Sequence, residues 1–270
     1  MTKFVIFIFF PPLLLLLPHD PSSKILYIEG RQHPVEIYYS KENYTDYVDA
    51  AITTTLQIHI ENMTEPGDVL VFLTGQEEIE QACQILEDKA RKLPPEAMKI
   101  LVCPIFSALP YEKQMEVFAP TPSGCRKVIV ATNIAETSIT VSGVKFVVDT
   151  GKIKQKNYLP NIKMDFFQVT DVSKASADQR AGRAGRESRG TCYRLYTFEK
   201  YQVFHQYTTP EILRCELSSV VLKLKSLGIQ DLMKFEFISR PSLETRLYFF
   251  SSQLARFKKN NNNLISTKFC

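Results

Sequence analysis

The sequence lacks the closely spaced ligands that hold disulfide-rich or zinc-bound proteins together. Its six cysteines stand at positions 83, 103, 125, 192, 215 and 270, with no CxxC pair and no histidine at metal-ligand spacing. A disulfide framework or a structural zinc site would need such pairs. The pattern therefore predicts reduced, intracellular thiols and no metal bound by the chain itself.

The sequence also lacks an unbroken apolar run long enough to cross a membrane. Residues 4–17 are almost wholly apolar, but Pro11 and Pro12 interrupt them, and a spanning helix needs about 20 apolar residues. Lys3 before this run resembles the start of a secretory signal, yet no small-x-small cleavage site follows. We interpret residues 1–23 as a leader foreign to the domain that follows. A weak signal or anchor and a packed strand are the alternatives.

A strong excess of one charge is missing as well. The 270 residues include 33 basic and 29 acidic side chains, which gives a net charge of +4, and 44% of the residues are hydrophobic. This balance permits nucleic acid as a partner but does not predict it. The hydrophobic fraction suffices for the core of one large domain or of one and a half ordinary ones.

What the chain does contain is one densely basic stretch, Gln179-Arg180-Ala181-Gly182-Arg183-Ala184-Gly185-Arg186. As a helix, it would place Gln179, Arg183 and Arg186 on one face, at i, i+4 and i+7. Gly182 and Gly185 would lie on another face, where two glycines indicate that a backbone comes close. One amide and two guanidiniums on one face suit a densely charged oxyanion such as a polyphosphate. The alternative is a solvated basic helix.

Several apolar runs before and after this stretch predict a parallel sheet flanked by helices. The runs lie near residues 68–74, 100–104, 126–131, 144–149 and 190–196. Strands buried on both faces are typical of parallel sheets covered by helices on either side. The loops that follow them should lie at the carboxyl edge of the sheet, where open α/β sheets bind ligands.

Two connections between these runs have their own signals. Asn133 and Glu136 have the spacing of a capping box, which would start a helix whose N-terminus can bind an anion. Residues 152–169 predict a β-hairpin, with Lys152, Lys154 and Lys156 sharing one face. Those lysines either follow a phosphate backbone or protect the edge of a solvated hairpin.

These motifs, in this order, resemble DEAH-box ATP-dependent RNA helicases of superfamily 2. Phe72–Gly75 resembles their motif IV, Thr132–Gly143 their motif V, and the basic stretch their motif VI. The resemblance implies a second RecA-like motor domain over residues 24–200, with the hairpin inserted into it. It also implies the start of a winged-helix region over residues 201–245. Residues 246–270 are unassigned and predicted to be a disordered tail.

The resemblance also assigns roles to residues that would face ATP. Gln179 would orient the attacking water, while Arg183 and Arg186 would stabilise charge on the transferred phosphate. Gly182 would belong to the same nucleotide-binding group. Phe118 would stack on adenine, whereas its apolar character alone would favour a core aromatic.

Other positions are assigned to nucleotide sensing and to RNA. Ser138 matches a serine that senses the state of the nucleotide, and Ser142 stands where many members carry Asp near the ribose. The residues expected to contact RNA phosphates follow strand ends or lie on the hairpin: Thr74, Gly75, Ser107, Thr132, Asn133 and Lys154.

No GxxxxGK[ST] loop and no Asp-Glu-Ala-His or similar acidic box occurs in the chain. In the family these parts belong to a first motor domain, so we expect ATP with Mg²⁺ to bind jointly with that domain. The chain alone is expected to be inactive as an enzyme.

The expected partners are RNA, mainly through its phosphates, the first RecA-like domain and a protein activator, with no membrane. The expected location is the nucleus or nucleolus, with the cytoplasm as an alternative. A non-catalytic RNA-binding or partner-binding protein built on the same domain is the alternative function.

Overall fold

A parallel sheet of six strands is the centre of the computed structural model, which describes residues 33–94, 97–159, 162, 164–229, 231, 235 and 237–241. Its strands are β1 (Val35–Tyr39), β2 (Asp68–Phe72), β3 (Lys99–Ile105), β4 (Cys125–Ala131), β5 (Val144–Asp149) and β8 (Gly190–Arg194). Their order is β1-β8-β5-β2-β4-β3, and each neighbouring pair is parallel. The predicted α/β class and parallel sheet are confirmed, and β1 is an edge strand in addition to the five expected.

Helices cover this sheet as its apolar strands require. They are α1 (Tyr47–Glu61), α2 (Gln76–Ala90), α3 (Tyr111–Glu116), α4 (Ile134–Thr137), α5 (Lys174–Ala181), α6 (Phe198–Gln202) and α7 (Ser218–Ser226). Side chains alternate along β2, so Val69 and Val71 pack toward α1 and α2 while Leu70 and Phe72 pack toward α4 and α5. Burial on both faces explains why β2 contains no exposed position.

A buried arginine on β4 ends helix α1. The Arg126 guanidinium donates hydrogen bonds to five backbone carbonyls, those of residues 58, 59, 62, 65 and 67, at 2.6–3.4 Å. Helix C-termini leave carbonyls without intrahelical partners, and a cation is favourable there. Arg126 therefore satisfies the end of α1 and the turn that leads into β2.

The predicted hairpin is present as β6 (Lys152–Leu159) and β7 (Met164–Asp171), which form a two-stranded sheet of their own. Lys152 pairs with Asp171 at 2.8 Å across its base. Lys154 lies over the ring of Phe167, with 5.8 Å between the ammonium and the ring centroid. The first two lysines of the row therefore have different surroundings, although both lie on one face.

The chain divides into two compact units. One consists of residues 32–157 and 166–208, and the other includes residues 158–165 and the chain from Thr209 onward. The sheet unit includes residues 201–208, where Phe204 packs on Tyr196 and Tyr201 packs on Phe204 in an aromatic cluster. In the second unit, the Tyr158 N–H donates to the carbonyl of Arg214 at 2.8 Å.

Several predictions concern residues outside the described part. Residues 1–23 and 246–270 lie wholly outside it, and the proposed winged-helix segment lies partly outside. Within the part of the chain that is described, no helix combines the length and the apolar character needed to cross a membrane. The five cysteines described there are free thiols.

The buried histidine of α1 gives a prediction about acid stability. Burial, and then the charge of Arg126, lower the pKa of His59 below its ordinary value of 6.5. As the pH falls below about 6.5, the unfolded chain takes up a proton that the folded chain refuses, so the free energy of unfolding should decrease. Urea denaturation between pH 7 and pH 5 measures this slope.

The variant His59→Leu should flatten that slope, because the titrating group is gone. The matched control is His205→Leu on the surface, which should leave the slope in place because His59 is still present. An unchanged slope in His59→Leu would mean that other groups cause the acid sensitivity.

Candidate functional site

Three of the residues predicted to contact phosphates lie at one edge of the sheet. The strands β2 and β3 both end level with Ala131, the last residue of β4. Thr74, Ser107 and Thr132 follow these three strand ends by one or two residues. Because parallel strands have their carboxyl ends on one side, the structure brings the three residues together at that edge.

Their exposure differs. Ser107 and Asn133 are exposed and Thr132 is half-buried, whereas Thr74 is buried. The Thr74 N–H donates to a carboxylate oxygen of Glu78 at 3.0 Å. Ser107, Thr132 and Asn133 therefore offer more to a ligand than the Thr74 side chain does.

The hairpin reaches the same edge through Lys154. A Cβ placed on Gly75 would lie 3.5 Å from Cδ and 3.6 Å from Nζ of Lys154. The lysine therefore lies directly against the glycine that precedes α2. The sequence suggested both residues separately, and the tertiary structure makes them neighbours.

The predicted capping box at the start of α4 is wrong. The Asn133 side chain makes no capping hydrogen bond, and α4 is only a four-residue helix. The Glu136 carboxylate instead accepts hydrogen bonds from the Ser176 hydroxyl and, at 3.1 Å, from Nε of Arg180. A charged partner on α5 replaces the local backbone partner because charge-assisted hydrogen bonds are the stronger ones.

Arg180 is the buried centre of this arrangement. Its side chain is fully buried, and Nη1 donates to Oδ1 of Asp149 at 2.8 Å while Nη2 donates to the carbonyl of Lys152 at 3.1 Å. The guanidinium also lies over the ring of Phe72, 4.8 Å from its centroid. Burial alone would lower the pKa of Arg180, but the charges of Asp149 and Glu136 outweigh it and the pKa is raised.

Asp149 connects this centre to the aromatic cluster. Its second carboxylate oxygen accepts a hydrogen bond from the Tyr196 hydroxyl at 2.8 Å, and its first also accepts from the Gly151 N–H at 2.9 Å. Burial, together with the charge of Asp149, raises the pKa of Tyr196 far above its usual range. Tyr196 is therefore neutral, and its hydroxyl donates the hydrogen bond that the second oxygen of the Asp149 carboxylate accepts.

The basic stretch is not one continuous α-helix, so the helical geometry behind the predicted common face of Gln179, Arg183 and Arg186 holds only as far as Ala181. Helix α5 ends at Ala181, and the N–H groups of residues 183, 184 and 185 bond to carbonyls three residues back. Such i→i−3 bonds tighten the backbone and change the angle between successive side chains. The chain then leaves the helix toward the start of β8.

The expected close backbone approach is found at Gly185. The His33 N–H donates to the Gly185 carbonyl at 2.9 Å, and a Cβ on Gly185 would lie 2.6 Å from the carbonyl oxygen of His33. No larger residue fits this contact without moving the backbone. Gly182 instead terminates α5 with helical φ and ψ angles.

The two predicted catalytic arginines have different environments. Arg183 is buried, and it donates to the carbonyl of Ile139 at 3.1 Å and to that of Glu136. Burial, and then the nearby charge of Arg186, lower the pKa of Arg183 to about 10. Arg186 is exposed, and Gln179 is half-buried. Arg183 is therefore tied to the segment that resembles motif V, while Arg186 is available to a ligand.

Phe118 and Ser138 are both exposed. Phe118 is 42% exposed, so the core-aromatic alternative does not fit this residue. Three successive contacts connect the segment of Phe118 to the residue after the basic stretch. The Thr121 hydroxyl donates to Oδ2 of Asp68 at 2.7 Å. The same oxygen would lie 3.1 Å from a Cβ placed on Gly143. The Gly143 N–H in turn donates to the Glu187 carboxylate at 3.0 Å.

Sequence reasoning missed Arg180, Asp149 and the true role of Glu136. A signal was present, because Arg180 lies beside Ala181 and three residues after Ala177, both of which are buried. A charged residue among buried small residues needs a buried partner of opposite charge. The sequence does not identify that partner, since it comes from another strand end.

Comparisons with known proteins agree with this arrangement. Residues 50–188 match the family model of the helicase conserved C-terminal domain. The chain is 50% identical over 220 residues to the mouse protein named ATP-dependent RNA helicase DHX33, covering 82% of this chain and 31% of that protein. It is 49% identical over 221 residues to a protein of Arabidopsis thaliana named pre-mRNA-splicing factor ATP-dependent RNA helicase DEAH10, covering 82% and 30%.

A solved structure has the same architecture. The crystal structure of the E. coli DExH-box NTPase HrpB superposes with a TM-score of 0.76 at 30% identity, over 91% of this chain and 29% of that one. The chain thus spans about a third of the length of each of these relatives.

The buried ion pairs give a prediction about stability. Arg180→Met would leave two carboxylates without their cation, so we expect the free energy of unfolding to fall by roughly 3–5 kcal/mol in urea denaturation. Adding Asp149→Asn should recover part of this loss, because it removes one uncompensated charge. The control is Arg91→Ala, an exposed arginine whose loss should cost less than about 1 kcal/mol. Similar losses for Arg180→Met and Arg91→Ala would contradict the central role of Arg180.

Proposed function

This chain belongs to the DEAH-box family of superfamily 2 helicases as their C-terminal RecA-like domain, and we propose that it supplies one wall of an ATP site and part of an RNA track. In the complete enzyme it would couple ATP hydrolysis to RNA binding, translocation and remodelling. The observation that carries this proposal is the network around Arg180. It joins Glu136, four residues after Thr132 at the strand edge, to the helix that leads into Arg183 and Arg186.

On the nucleotide side, the exposed Arg186 would contact the γ-phosphate and stabilise charge that develops on it. Arg183 would share this role. Its hydrogen bonds to the carbonyls of Glu136 and Ile139 would transmit a change in nucleotide binding to the segment that resembles motif V. Gln179 would orient the attacking water, with Gly182 leaving room at the end of α5. Phe118 would stack on the adenine base, and Ser138 would sense the nucleotide state.

On the RNA side, the edge residues would contact phosphates rather than bases. The hydroxyls of Ser107 and Thr132, the amide of Asn133 and the ammonium of Lys154 can all donate to phosphate oxygens. The backbone at Thr74 and Gly75 would add to them. Contacts of this kind position a strand without reading its sequence.

The Mg²⁺ ion that accompanies ATP would be held by the first motor domain. Among the residues described, no group of three or more His, Cys, Asp or Glu side chains is arranged to hold a metal ion. The ion would neutralise charge between the β- and γ-phosphates. The contribution of this chain is the set of arginine donors on the other side of the phosphates.

A cellular role in RNA processing follows from the same family membership. One relative is named a pre-mRNA-splicing factor, and we extend a nuclear or nucleolar location to this chain on that basis. A protein activator is a further expected partner. The alternative function is a non-catalytic RNA-binding or partner-binding protein that uses the same domain without hydrolysis.

The phosphate model gives a prediction for RNA binding. Two single-stranded RNAs of equal length and different sequence should bind with similar, weak affinity, and the affinity should fall steeply with salt. Lys154→Ala should reduce the slope of log K against log salt by about 1, because one phosphate contact is lost. The control is Lys89→Ala in the last turn of α2, which should leave the slope unchanged. Fluorescence anisotropy measures both, and a strong sequence preference would rule the model out.

A second prediction concerns hydrolysis. The chain alone should hydrolyse no ATP above background, because nothing in its sequence cradles the β-phosphate or holds Mg²⁺ through a P-loop hydroxyl. Addition of the first motor domain should give RNA-stimulated phosphate release. Arg186→Ala should then lower that rate by roughly 10³–10⁵, the contribution of an arginine finger.

Arg91→Ala serves as the matched arginine control and should leave turnover intact. Hydrolysis by the purified chain on its own would imply a second nucleotide site. Binding of RNA with no turnover in the presence of the first domain would favour the non-catalytic alternative.

A further inference from the structure

A buried lysine holds the segment that carries the exposed Phe118. Lys127 lies on β4 and is almost fully buried. Its ammonium donates hydrogen bonds to the carbonyl of Val117, at 3.0 Å, and to that of Ala119. The two carbonyls belong to the residues on either side of Phe118, so one cation fixes the backbone around this ring.

A carboxylate holds the same segment from its other end. Oδ1 of Asp68 accepts a hydrogen bond from the backbone N–H of Lys127 at 2.9 Å, and Oδ2 accepts one from the Thr121 hydroxyl at 2.7 Å. Asp68 begins β2, the strand next to β4 in the central sheet. The segment from Val117 to Thr121 is therefore attached to two central strands at three points.

The side chain between these attachments remains accessible. Val117 is buried at the end of α3, while Phe118 and Ala119 are exposed. An exposed aromatic ring on a mobile segment would lose conformational freedom when a base stacks on it, and that loss would weaken binding. Attachment of the backbone in advance removes part of this entropic cost.

We propose that Lys127 is a positioning residue that, together with Asp68, presents Phe118 as a preformed platform for the nucleotide base. The inference rests on the proposed role of Phe118 and adds the groups that set its position. Lys127 does not contact the nucleotide and acts only through the carbonyls of Val117 and Ala119. A purely structural role, as a cation at the C-terminus of α3, would affect stability but would not distinguish a ligand with a base from one without.

The test therefore compares two ligands on the 270-residue chain. ATP carries a base, a ribose and a triphosphate, whereas inorganic tripolyphosphate carries only the anionic part that Arg186 would bind. Isothermal titration should show that wild-type protein prefers ATP. Phe118→Ala should lower the affinity for ATP by about fivefold or more, since base stacking is worth roughly that factor or higher, and should leave tripolyphosphate binding unchanged.

Lys127→Met keeps an unbranched side chain of similar length and removes the ammonium. It should lower ATP affinity in the same direction as Phe118→Ala while tripolyphosphate binding persists, which also shows that the variant is folded. When Lys127→Met is combined with Phe118→Ala, it should cause no further loss of ATP affinity, because its effect passes through the Phe118 ring. The control is Lys145→Met, which removes an ion pair with Glu65 and leaves residues 117–121 untouched.

Thr121→Val tests the same segment if Lys127→Met does not fold, and it should cause a smaller, equally ATP-specific loss. The inference is overturned if Phe118→Ala weakens ATP binding while both Lys127→Met and Thr121→Val leave it unchanged. It is also overturned if Lys127→Met weakens both ligands equally. If Phe118→Ala itself has no effect, or if wild-type protein does not prefer ATP, the base platform is wrong and the positioning role fails with it.

Discussion

The buried charge of Arg180 is the constraint on which the rest of this structure depends. A guanidinium removed from water is costly unless opposite charges and hydrogen-bond acceptors surround it. Asp149, Glu136 and the carbonyl of Lys152 provide them, and they come from the end of β5, from α4 and from the start of the hairpin. These segments must meet around α5. If any one of them were absent, a buried charged group of this cluster would lack a hydrogen-bond partner.

This constraint joins two surfaces that ligands would use. The strand edge with Ser107, Thr132 and Asn133 suits phosphates of a nucleic acid, and the exposed Arg186 suits those of a nucleotide. Between them, the Glu136 carboxylate binds Arg180 and its carbonyl binds Arg183. A movement of the turn after β4 would therefore displace hydrogen-bond partners of both arginines. Under the proposed function, this would connect ligand binding at one surface to the other.

Local signals were reliable where the backbone alone decides the outcome, and they failed where side chains compete for partners. The apolar runs predicted the central strands to within a few residues, and the alternating lysines predicted the hairpin. The capping box at Asn133 failed, because Arg180 offers Glu136 a charged partner that a local reading does not include. The basic stretch was predicted to be one helix, yet α5 ends at Ala181 and residues 183–185 continue with i→i−3 hydrogen bonds.

The sequence by itself determined the parallel α/β class, the family resemblance and the residue types at the candidate sites, since these follow from apolar patterning and from ordered motifs. Tertiary structure alone decided which of those residues lie together and which are exposed. It placed Lys154 against Gly75, buried Arg183 while leaving Arg186 exposed, and attached the segment of Phe118 to Lys127 and Asp68. The physical reason is that burial and charge pairing depend on contacts between residues far apart in the chain, and no local pattern records them.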